Sequence, residues 1–325
     1  MKTIGLIGLG NAGRPLGKRL IDKGYSIKAY DLNPEAMAAL RDLGAGQAVS
    51  PADAVCEVTL MVLPSSVEVE KAVYGPTGLL EGVKPGYIVI DLSGTDPDSS
   101  REVAGALTAL DAHYLGGTLH ASGAPAVTIP NGLLSIVIGG PRTAIEACAE
   151  ILQCLCQKVV CLPEPWIPKS LKIAIMMVAQ ANNIILAEVA VWLTKQGIDP
   201  KLFLEVAQTT DSRATASRLE GFLKRDRSYG GALSNSYKDL RQALKVAADS
   251  QLPLPFTSAA IQISEMARAQ GLTRTNSSAA IGTLYEIMTG VDLGKAKLAG
   301  ERTFPEPNEP EILYLGDWPE LSSER

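Results

Sequence analysis

Three glycines near the start of the chain have the spacing of a phosphate-binding turn. Gly8, Gly10 and Gly13 follow an apolar run of strand length and precede a helical pattern. In that context Gly8 permits a tight turn, Gly10 lets the backbone approach a pyrophosphate, and Gly13 lets the helix pack close to the strand. The helix N-terminus offers its N–H groups to the phosphates. The pattern therefore predicts a dinucleotide site, whose turn also contains Leu9, Asn11 and Ala12.

An acidic residue predicts which dinucleotide binds. Asp31 follows a second apolar strand pattern, "SIKAY", and stands eighteen positions after Gly13. Its carboxylate would accept hydrogen bonds from the adenosine ribose and repel a 2′-phosphate. Leu32 and Asn33 come next, where an arginine would favour NADP. We therefore expect NAD rather than NADP, with Asp31 and Leu32 in the cofactor site.

Two lysines stand at the start of a long apolar helical pattern. The stretch "PKSLKIAIMMVAQANNIILAE", residues 168–188, contains Lys169 and Lys172. A lysine that reaches a cleft can exchange a proton with a reacting hydroxyl. The commoner position of a lysine is in solvent. The residues alone leave both interpretations open.

Strand and helix patterns alternate through the first half of the chain, from "EVTLMVLPSS" and "GYIVIDLSG" to "LLSIVIGG" and "KVVCLP". This alternation predicts an α/β Rossmann-type doubly wound sheet with helices on both faces. Ligands of such sheets bind outside the carboxyl ends of the strands. The loops expected beside the cofactor contain Leu63, Pro64, Ser65, Ser93 and Gly94.

After Pro168 the strand patterns stop, and helical patterns follow at 169–196, 200–208, 212–224, 234–249, 256–270 and 276–289. The predicted fold class is therefore a Rossmann-type α/β domain followed by an all-α domain. We expect a dinucleotide-binding domain at 1–165, a helical substrate and dimerisation domain at 166–295, and an acidic, proline-containing tail at 296–325.

The apolar surfaces of the second half predict an oligomer. The helix at 169–196 is apolar on most faces, and too few helices follow to cover it. We therefore expect a homodimer or a dimer of dimers. The composition of the tail is that of disordered segments, although its "ILYL" and Trp318 are apolar enough to dock on a partner surface.

Composition argues against several other classes. Charged residues make up 20% of the chain and the net charge is −5, so no nucleic-acid partner is expected. Gln180 and Asn183 lie inside the long apolar helix and argue against a membrane span. The cysteines and two histidines lack metal-ligand spacing, so no metal is expected. No signal-peptide pattern precedes the glycine turn, which favours the cytoplasm.

Several motifs together resemble the β-hydroxyacid dehydrogenase family, which includes 3-hydroxyisobutyrate dehydrogenases and tartronate semialdehyde reductases. The matching segments are "GLGNAGRPLGKRL", "VLPSS", "DLSGTDPDSSRE" and "YKDLRQAL". They are similar to the family's opening glycine motif, second cofactor loop, D-x-S-T-x-x-P segment and K-D-L signature. The resemblance covers about residues 1–290. It implies hydride transfer between NAD(P) and the hydroxyl or carbonyl carbon of a hydroxyacid or its semialdehyde.

The resemblance also implies roles for single residues. Lys172 precedes Glu188 and "GIDP" at the family's spacing, which makes it the match to the catalytic lysine and leaves Lys169 as a solvent lysine. Lys238 matches a lysine that the family places near the cofactor. Ser122 and Gly123 match the start of its substrate-binding serine motif.

Departures from the family bear on the substrate. Ala124 replaces the last glycine of the serine motif, and Ile175 and Met176 replace an asparagine pair just past the lysine. These changes predict a bulkier or less polar substrate. Three alternatives stay open: an imine reductase-like NAD(P)H enzyme, a decarboxylating sugar-acid dehydrogenase, and a cofactor-binding homologue without dehydrogenase activity. Against the second, the chain is short and poor in basic ligands for a phosphorylated sugar. His120 is interpreted as a polar loop histidine rather than a second proton carrier.

Overall fold

The computed structural model describes residues 3–121, 125–208, 231–249, 251–293 and 311–314. The described residues fall into two compact units, one made of residues up to Lys172 together with 311–314, and the other of residues from Ile173 to 293. The division falls inside one continuous helix. Each unit has its own apolar core.

The first unit is built on a nine-stranded sheet in the order β3-β2-β1-β4-β5-β6-β7-β8-β9. Neighbouring strands are parallel except β6 and β7, which are antiparallel. The strands are β1 Thr3–Ile7, β2 Ser26–Tyr30, β3 Gly46–Gln47, β4 Val58–Met61, β5 Ile88–Asp91, β6 His113–Ala121, β7 Leu134–Gly139, β8 Lys158–Leu162 and β9 Glu311–Tyr314.

Helices cover both faces of this sheet. They are α1 Gly13–Asp22, α2 Pro34–Arg41, α3 Pro51–Ala54, α4 Ser66–Tyr74, α5 Leu79–Gly82, α6 Pro97–Thr108, α7 Pro125–Thr128, α8 Arg142–Ala147 and α9 Ala149–Leu155. Successive side chains of a strand point to opposite faces. Thus Leu6 belongs to the apolar cluster that contains Leu16 of α1, whereas Ile7 belongs to the separate cluster that contains Val103 of α6. The predicted doubly wound sheet is confirmed.

The last strand corrects the expectation for the tail. Residues 311–314, within the "EILYL" segment, extend the sheet by pairing in parallel with β8, in the register Lys158↔Glu311 to Cys161↔Tyr314. The apolar segment therefore docks on its own chain rather than remaining disordered or waiting for a partner. Trp318 lies outside the described residues.

The helical part of the chain begins with α10, Ile167–Lys195. It continues with α11 Pro200–Gln208, α12 Leu233–Asp249, α13 Pro255–Ala269, a short 3-10 helix Leu272–Arg274 and α14 Ser277–Thr289. These bounds match five of the six predicted helical patterns to within two residues. The pattern at 212–224 lies outside the described residues.

Helix α10 is long and apolar enough to cross a membrane, as judged by length and composition alone. Its buried polar side chains instead join it to its neighbours in the helical unit. The Gln180 side chain donates a hydrogen bond to the Ser264 hydroxyl at 3.2 Å and accepts one from the Ser277 hydroxyl at 2.7 Å. The Asn183 side chain accepts one from the Ser278 hydroxyl at 3.0 Å. Because buried amides need such partners, the network makes α10 a core helix of this unit.

Candidate active site

The glycine turn between β1 and α1 has the geometry of a phosphate cradle. A Cβ atom at Gly8 would lie 2.4 Å from the Val62 carbonyl oxygen, and one at Gly13 would lie 1.9 Å from the Gly8 carbonyl oxygen. Gly8 also has a φ of +95°, which L side chains rarely adopt. The packing of the chain itself therefore requires these two glycines.

Gly10 differs from its two neighbours in the motif. A Cβ atom at Gly10 would meet no atom within 4 Å, so packing does not require a glycine there. The space beside the backbone is open at the start of α1, where helix N–H groups attract phosphate. Leu9 is buried, whereas Asn11 is exposed and Ala12 is half-buried at the same turn. The residues present fit the pyrophosphate of a dinucleotide.

Asp31 lies directly after β2 and contacts the same turn. One of its carboxylate oxygens accepts a hydrogen bond from the Leu9 N–H at 2.6 Å, and the other accepts one from the Asn33 N–H at 2.7 Å. Each oxygen keeps a further lone pair for a ribose hydroxyl. Leu32 is 87% exposed. The structure thus brings Asp31 to the glycine turn, as the sequence predicted.

The loops after β4 and β5 are joined to each other. The Leu63 N–H donates to Ser93 Oγ at 2.8 Å, and the Gly94 N–H donates to the Leu63 carbonyl at 3.0 Å. Pro64 is exposed, and the Ser65 hydroxyl donates to the Glu68 carboxylate at the start of α4. Both loops follow the carboxyl ends of β4, which pairs with β1, and of β5, which pairs with β4. Ligands of parallel sheets bind outside such strand ends.

Lys172 and His120 lie near one another in the first unit. His120 is the penultimate residue of β6, half-buried, and its Nε2 lies 2.9 Å from Thr118 Oγ1. Burial, and then the charge of Lys172, lower the pKa of His120 to about 4. His120 is thus a strand residue that is neutral at pH 7, not the loop histidine that was expected. The half-buried Lys172 is the charged group beside it.

Lys169 is not a solvent lysine, and that expectation was wrong. Its side chain is 1% exposed, and its ammonium forms an ion pair with Asp91 Oδ2 at 3.1 Å. Sequence reasoning also missed Tyr114, whose hydroxyl donates to the same carboxylate at 2.6 Å. One feature of the sequence could have indicated these partners, the aspartate at the end of the apolar run "YIVID". A buried carboxylate needs a cationic or hydrogen-bonding partner.

Three predicted site residues remain, Ser122, Gly123 and Lys238. Ser122 and Gly123 follow β6 and lie outside the described residues. Lys238 lies on α12 in the helical unit, half-buried, with its ammonium 3.6 Å from the Asp239 carboxylate. The described geometry therefore joins the glycine turn, Asp31 and the two loops in one unit, with Lys172 and His120 in that same unit.

Two family models match the chain. Residues 3–162 match the NAD binding domain of 6-phosphogluconate dehydrogenase. Residues 169–284 match a domain described as the NAD-binding of NADP-dependent 3-hydroxyisobutyrate dehydrogenase. The two matches together cover both units.

Named relatives match over nearly their whole length. The 2-(hydroxymethyl)glutarate dehydrogenase of Eubacterium barkeri is 31% identical over 303 residues, which cover 89% of this chain and 97% of the relative. The mitochondrial 3-hydroxyisobutyrate dehydrogenase of Homo sapiens is 29% identical, with 87% of each chain covered. Among solved structures, the Mycobacterium tuberculosis 3-hydroxyisobutyrate dehydrogenase with L-serine has a TM-score of 0.78 at 22% identity. It covers 87% of this chain and 99% of its own, and it supports the fold.

Proposed function

Because the chain belongs to the β-hydroxyacid dehydrogenase family and is thus an NAD(P)-dependent oxidoreductase, we propose that Lys172 is its general acid and base. In this proposal the substrate is a hydroxyacid or the corresponding semialdehyde. A bound nicotinamide cofactor would provide the hydride chemistry at the substrate carbon, as NAD+ for oxidation and as NADH for reduction. The chain's own residues bind the dinucleotide, orient the substrate and move the hydroxyl proton.

The observation that carries the proposal is that Lys172 stands three residues after Lys169, whose ammonium is bound to the carbonyls of Ser93, just after β5, and Gly117, in β6. The charge of Lys172 also acts on His120, at the carboxyl end of β6. Ligands of doubly wound sheets bind outside these strand ends. In the oxidation direction, a neutral Lys172 amine takes the proton of the substrate hydroxyl. In the reduction direction, the Lys172 ammonium donates that proton and stabilises the developing charge on oxygen. His120, being neutral, adds no competing positive charge.

The preference for NAD over NADP rests on Asp31. Its carboxylate is held at the glycine turn by the Leu9 N–H, and a 2′-phosphate there would meet a negative charge. The cofactor set of the proposal comprises Gly8, Leu9, Gly10, Asn11, Ala12, Gly13, Asp31, Leu32, Leu63, Pro64, Ser65, Ser93, Gly94 and Lys238. Ser122 and Gly123 complete it on the substrate side.

The substrate is expected to be bulkier or less polar than 3-hydroxyisobutyrate. Ile175 and Met176 lie three and four residues past Lys172 on α10, which places them on the same side of the helix. Ile175 is about half exposed and Met176 is partly exposed, so apolar surface is offered along this side. Such a surface favours contact with hydrocarbon and offers no donors to a small carboxylate.

We also propose a homodimer, or a dimer of dimers, in the cytoplasm. Ile175, Val178, Ile185 and Trp192 form an exposed apolar stripe along α10. Their spacings of three and seven residues place them on one face of the helix. An exposed apolar surface of this kind is typical of a protein interface.

Turnover assays test the function. NAD- and NADP-linked absorbance would be followed across hydroxyacids, semialdehydes and cyclic imines, with wild type, Lys172→Ala and the exposed control Lys84→Ala. We expect turnover of a hydroxyacid or semialdehyde with NAD, lost in Lys172→Ala and kept in Lys84→Ala.

Other outcomes contradict this function. Turnover of imines alone favours the imine reductase alternative. NADH binding without any turnover favours a cofactor-binding homologue. Full activity in Lys172→Ala removes this lysine from the chemistry.

A further inference from the structure

The Lys169 side chain joins parts of the first unit that are distant in sequence. Its ammonium donates to the carbonyl oxygens of Gly117 at 2.8 Å, Ser93 at 3.0 Å and Asp91 at 3.1 Å, and to Asp91 Oδ2 at 3.1 Å. Three N–H protons are thus shared among four acceptors. The contacts tie the first turn of α10 to the end of β5, to the loop after β5 and to the middle of β6.

The Asp91 carboxylate, which pairs with Lys169, also has several hydrogen-bond partners. Asp91 is fully buried and also accepts from the Ser93 N–H at 2.8 Å and the Tyr114 hydroxyl at 2.6 Å. Burial alone would raise the pKa of Asp91, but the Lys169 charge and the bonds from Ser93 and Tyr114 hold it below its ordinary value. The Asp91 carboxylate is therefore ionised. Ser93 contacts this pair twice, through its N–H to Asp91 and its carbonyl to Lys169, and its hydroxyl accepts from Leu63.

The segment that leads into α10 is also fixed against the sheet. Ser100 donates to the Pro165 carbonyl at 3.0 Å, and the Arg101 guanidinium stacks 4.1 Å from the Trp166 ring centroid. A Cβ atom at Gly116 would lie 2.1 Å from the Pro165 carbonyl oxygen, so the segment crosses β6 at backbone contact distance. Lys169 thus ends a segment that is attached on several sides.

We propose that Lys169 is a positioning residue of the active site. It fixes the position of Lys172 relative to the cofactor loop at Ser93 and Gly94. This inference rests on the proposed role of Lys172. Lys169 touches no reacting atom. It acts because it lies one helical turn before Lys172 and holds that turn to the carbonyl of Ser93. An uncharged side chain of similar length would fill the space without fixing this position.

The test separates positioning from stability. Lys169→Met leaves the Asp91 carboxylate buried without its cation, and we expect this single variant to be poorly folded. The double variant Lys169→Met/Asp91→Asn removes both charges, and an amide at residue 91 can still accept from Tyr114. A matched control, Lys28→Met/Asp53→Asn, removes a partly exposed ion pair of 2.5 Å in the same unit. Thermal unfolding, the NADH dissociation constant, kcat and KM would be measured for all variants.

We expect the Lys169→Met/Asp91→Asn variant to unfold near the wild-type temperature. Its kcat should fall about 10- to 100-fold, because small misplacements of a catalytic group cost rate on this scale. Its KM for the substrate should change little, and NADH should bind more weakly because the Ser93 loop loses its anchor. The control pair should keep wild-type kcat and NADH affinity. Wild-type kcat and NADH affinity in a stable double variant overturn the inference.

Failure of the proposed function is a separate result. If Lys172→Ala is fully active, the proposed catalytic role of Lys172 is wrong, and the proposed positioning role of Lys169 is wrong as well. If Lys172→Ala is inactive while the Lys169→Met/Asp91→Asn variant is fully active, only the positioning inference is wrong. If the wild type turns over no substrate, the positioning inference is tested by the NADH dissociation constant alone. The same dissociation constant in the wild type and the double variant overturns the inference.

Discussion

Asp31 accepts a hydrogen bond of 2.6 Å from the backbone N–H of Leu9, which joins the end of β2 to the glycine turn. The carboxylate therefore has its orientation before any ribose arrives. A group that is already in place loses less conformational entropy on binding, which favours affinity. The same bond places a negative charge at the turn. In the proposed function this charge would disfavour the 2′-phosphate of NADP.

Replacing Asp31 should weaken NAD binding and relax the discrimination against NADP. In Asp31→Ser, the loss of charged hydrogen bonds worth about 1.5–3 kcal/mol should raise the NAD dissociation constant roughly 10- to 100-fold. The NADP dissociation constant should rise less or fall, since the repulsion is removed. Titration of both cofactors into wild type, Asp31→Ser and the exposed control Asp42→Ser checks this. Equal losses for NAD and NADP would contradict the assigned discrimination.

Gly10 and Gly13 should respond differently to the same added methyl group. Gly10→Ala should fold with nearly wild-type stability, because its Cβ meets no atom within 4 Å, but it should bind NADH at least about tenfold more weakly. Gly13→Ala should be destabilised, because its Cβ would lie 1.9 Å from the Gly8 carbonyl oxygen. Urea unfolding and NADH titration of both variants measure the two effects. A stable Gly10→Ala variant with wild-type NADH affinity would show that the pyrophosphate lies elsewhere.

His120 should make the protein less stable as the pH falls. Its folded-state pKa is about 4, below the ordinary value of 6.5, so the unfolded chain binds the proton more readily between these values. The contribution of neutral His120 to stability is therefore fully present above pH 6.5 and is lost as the pH falls towards 4. Urea unfolding from pH 7.5 to 4.5 should show this slope in wild type. It should also appear in His113→Gln and be reduced in His120→Gln, and an undiminished slope in His120→Gln would be inconsistent with the assignment.

The exposed stripe of α10 should determine the oligomeric state. Val178→Glu and Trp192→Glu place a carboxylate on side chains that are each 61% exposed, and a charge buried at an apolar interface is strongly unfavourable. Sedimentation should show both variants shifted towards monomer. Val49→Glu, which alters an 87% exposed residue of the other unit, is the matched control. Unchanged sedimentation of the stripe variants would place the interface on another surface.

The C-terminal strand should protect the edge of the sheet. Deleting residues 311–325 removes β9 and leaves β8 with unpaired backbone groups, which favours aggregation. Deleting only residues 316–325 keeps β9 and serves as the control. Light scattering during heating should show earlier aggregation for the longer deletion alone. Similar aggregation of the two truncated chains would mean that β9 has no protective effect.

Local patterns in the sequence were sufficient to predict the glycine turn, the position of Asp31 beside it, the doubly wound sheet and most helix bounds. These features depend on neighbours within a turn or a strand, so the chain records them as spacing and periodicity. Helix α11, Pro200–Gln208, was predicted at the residues where it occurs. The match of Lys172 to a catalytic lysine came from the family's spacing to Glu188 and "GIDP", and it stays a prediction.

Only the tertiary structure decided which lysine is buried. Lys169 and Lys172 are three residues apart and lie on similar sides of α10, so periodicity does not separate them. The partners of Lys169 are 78 positions away at Asp91 and 52 positions away at Gly117. Strand β9 was missed for the same reason, because its partner β8 precedes it by about 150 residues. Contacts between distant segments depend on the tertiary fold of the whole chain, and local residue patterns do not specify which distant segments meet.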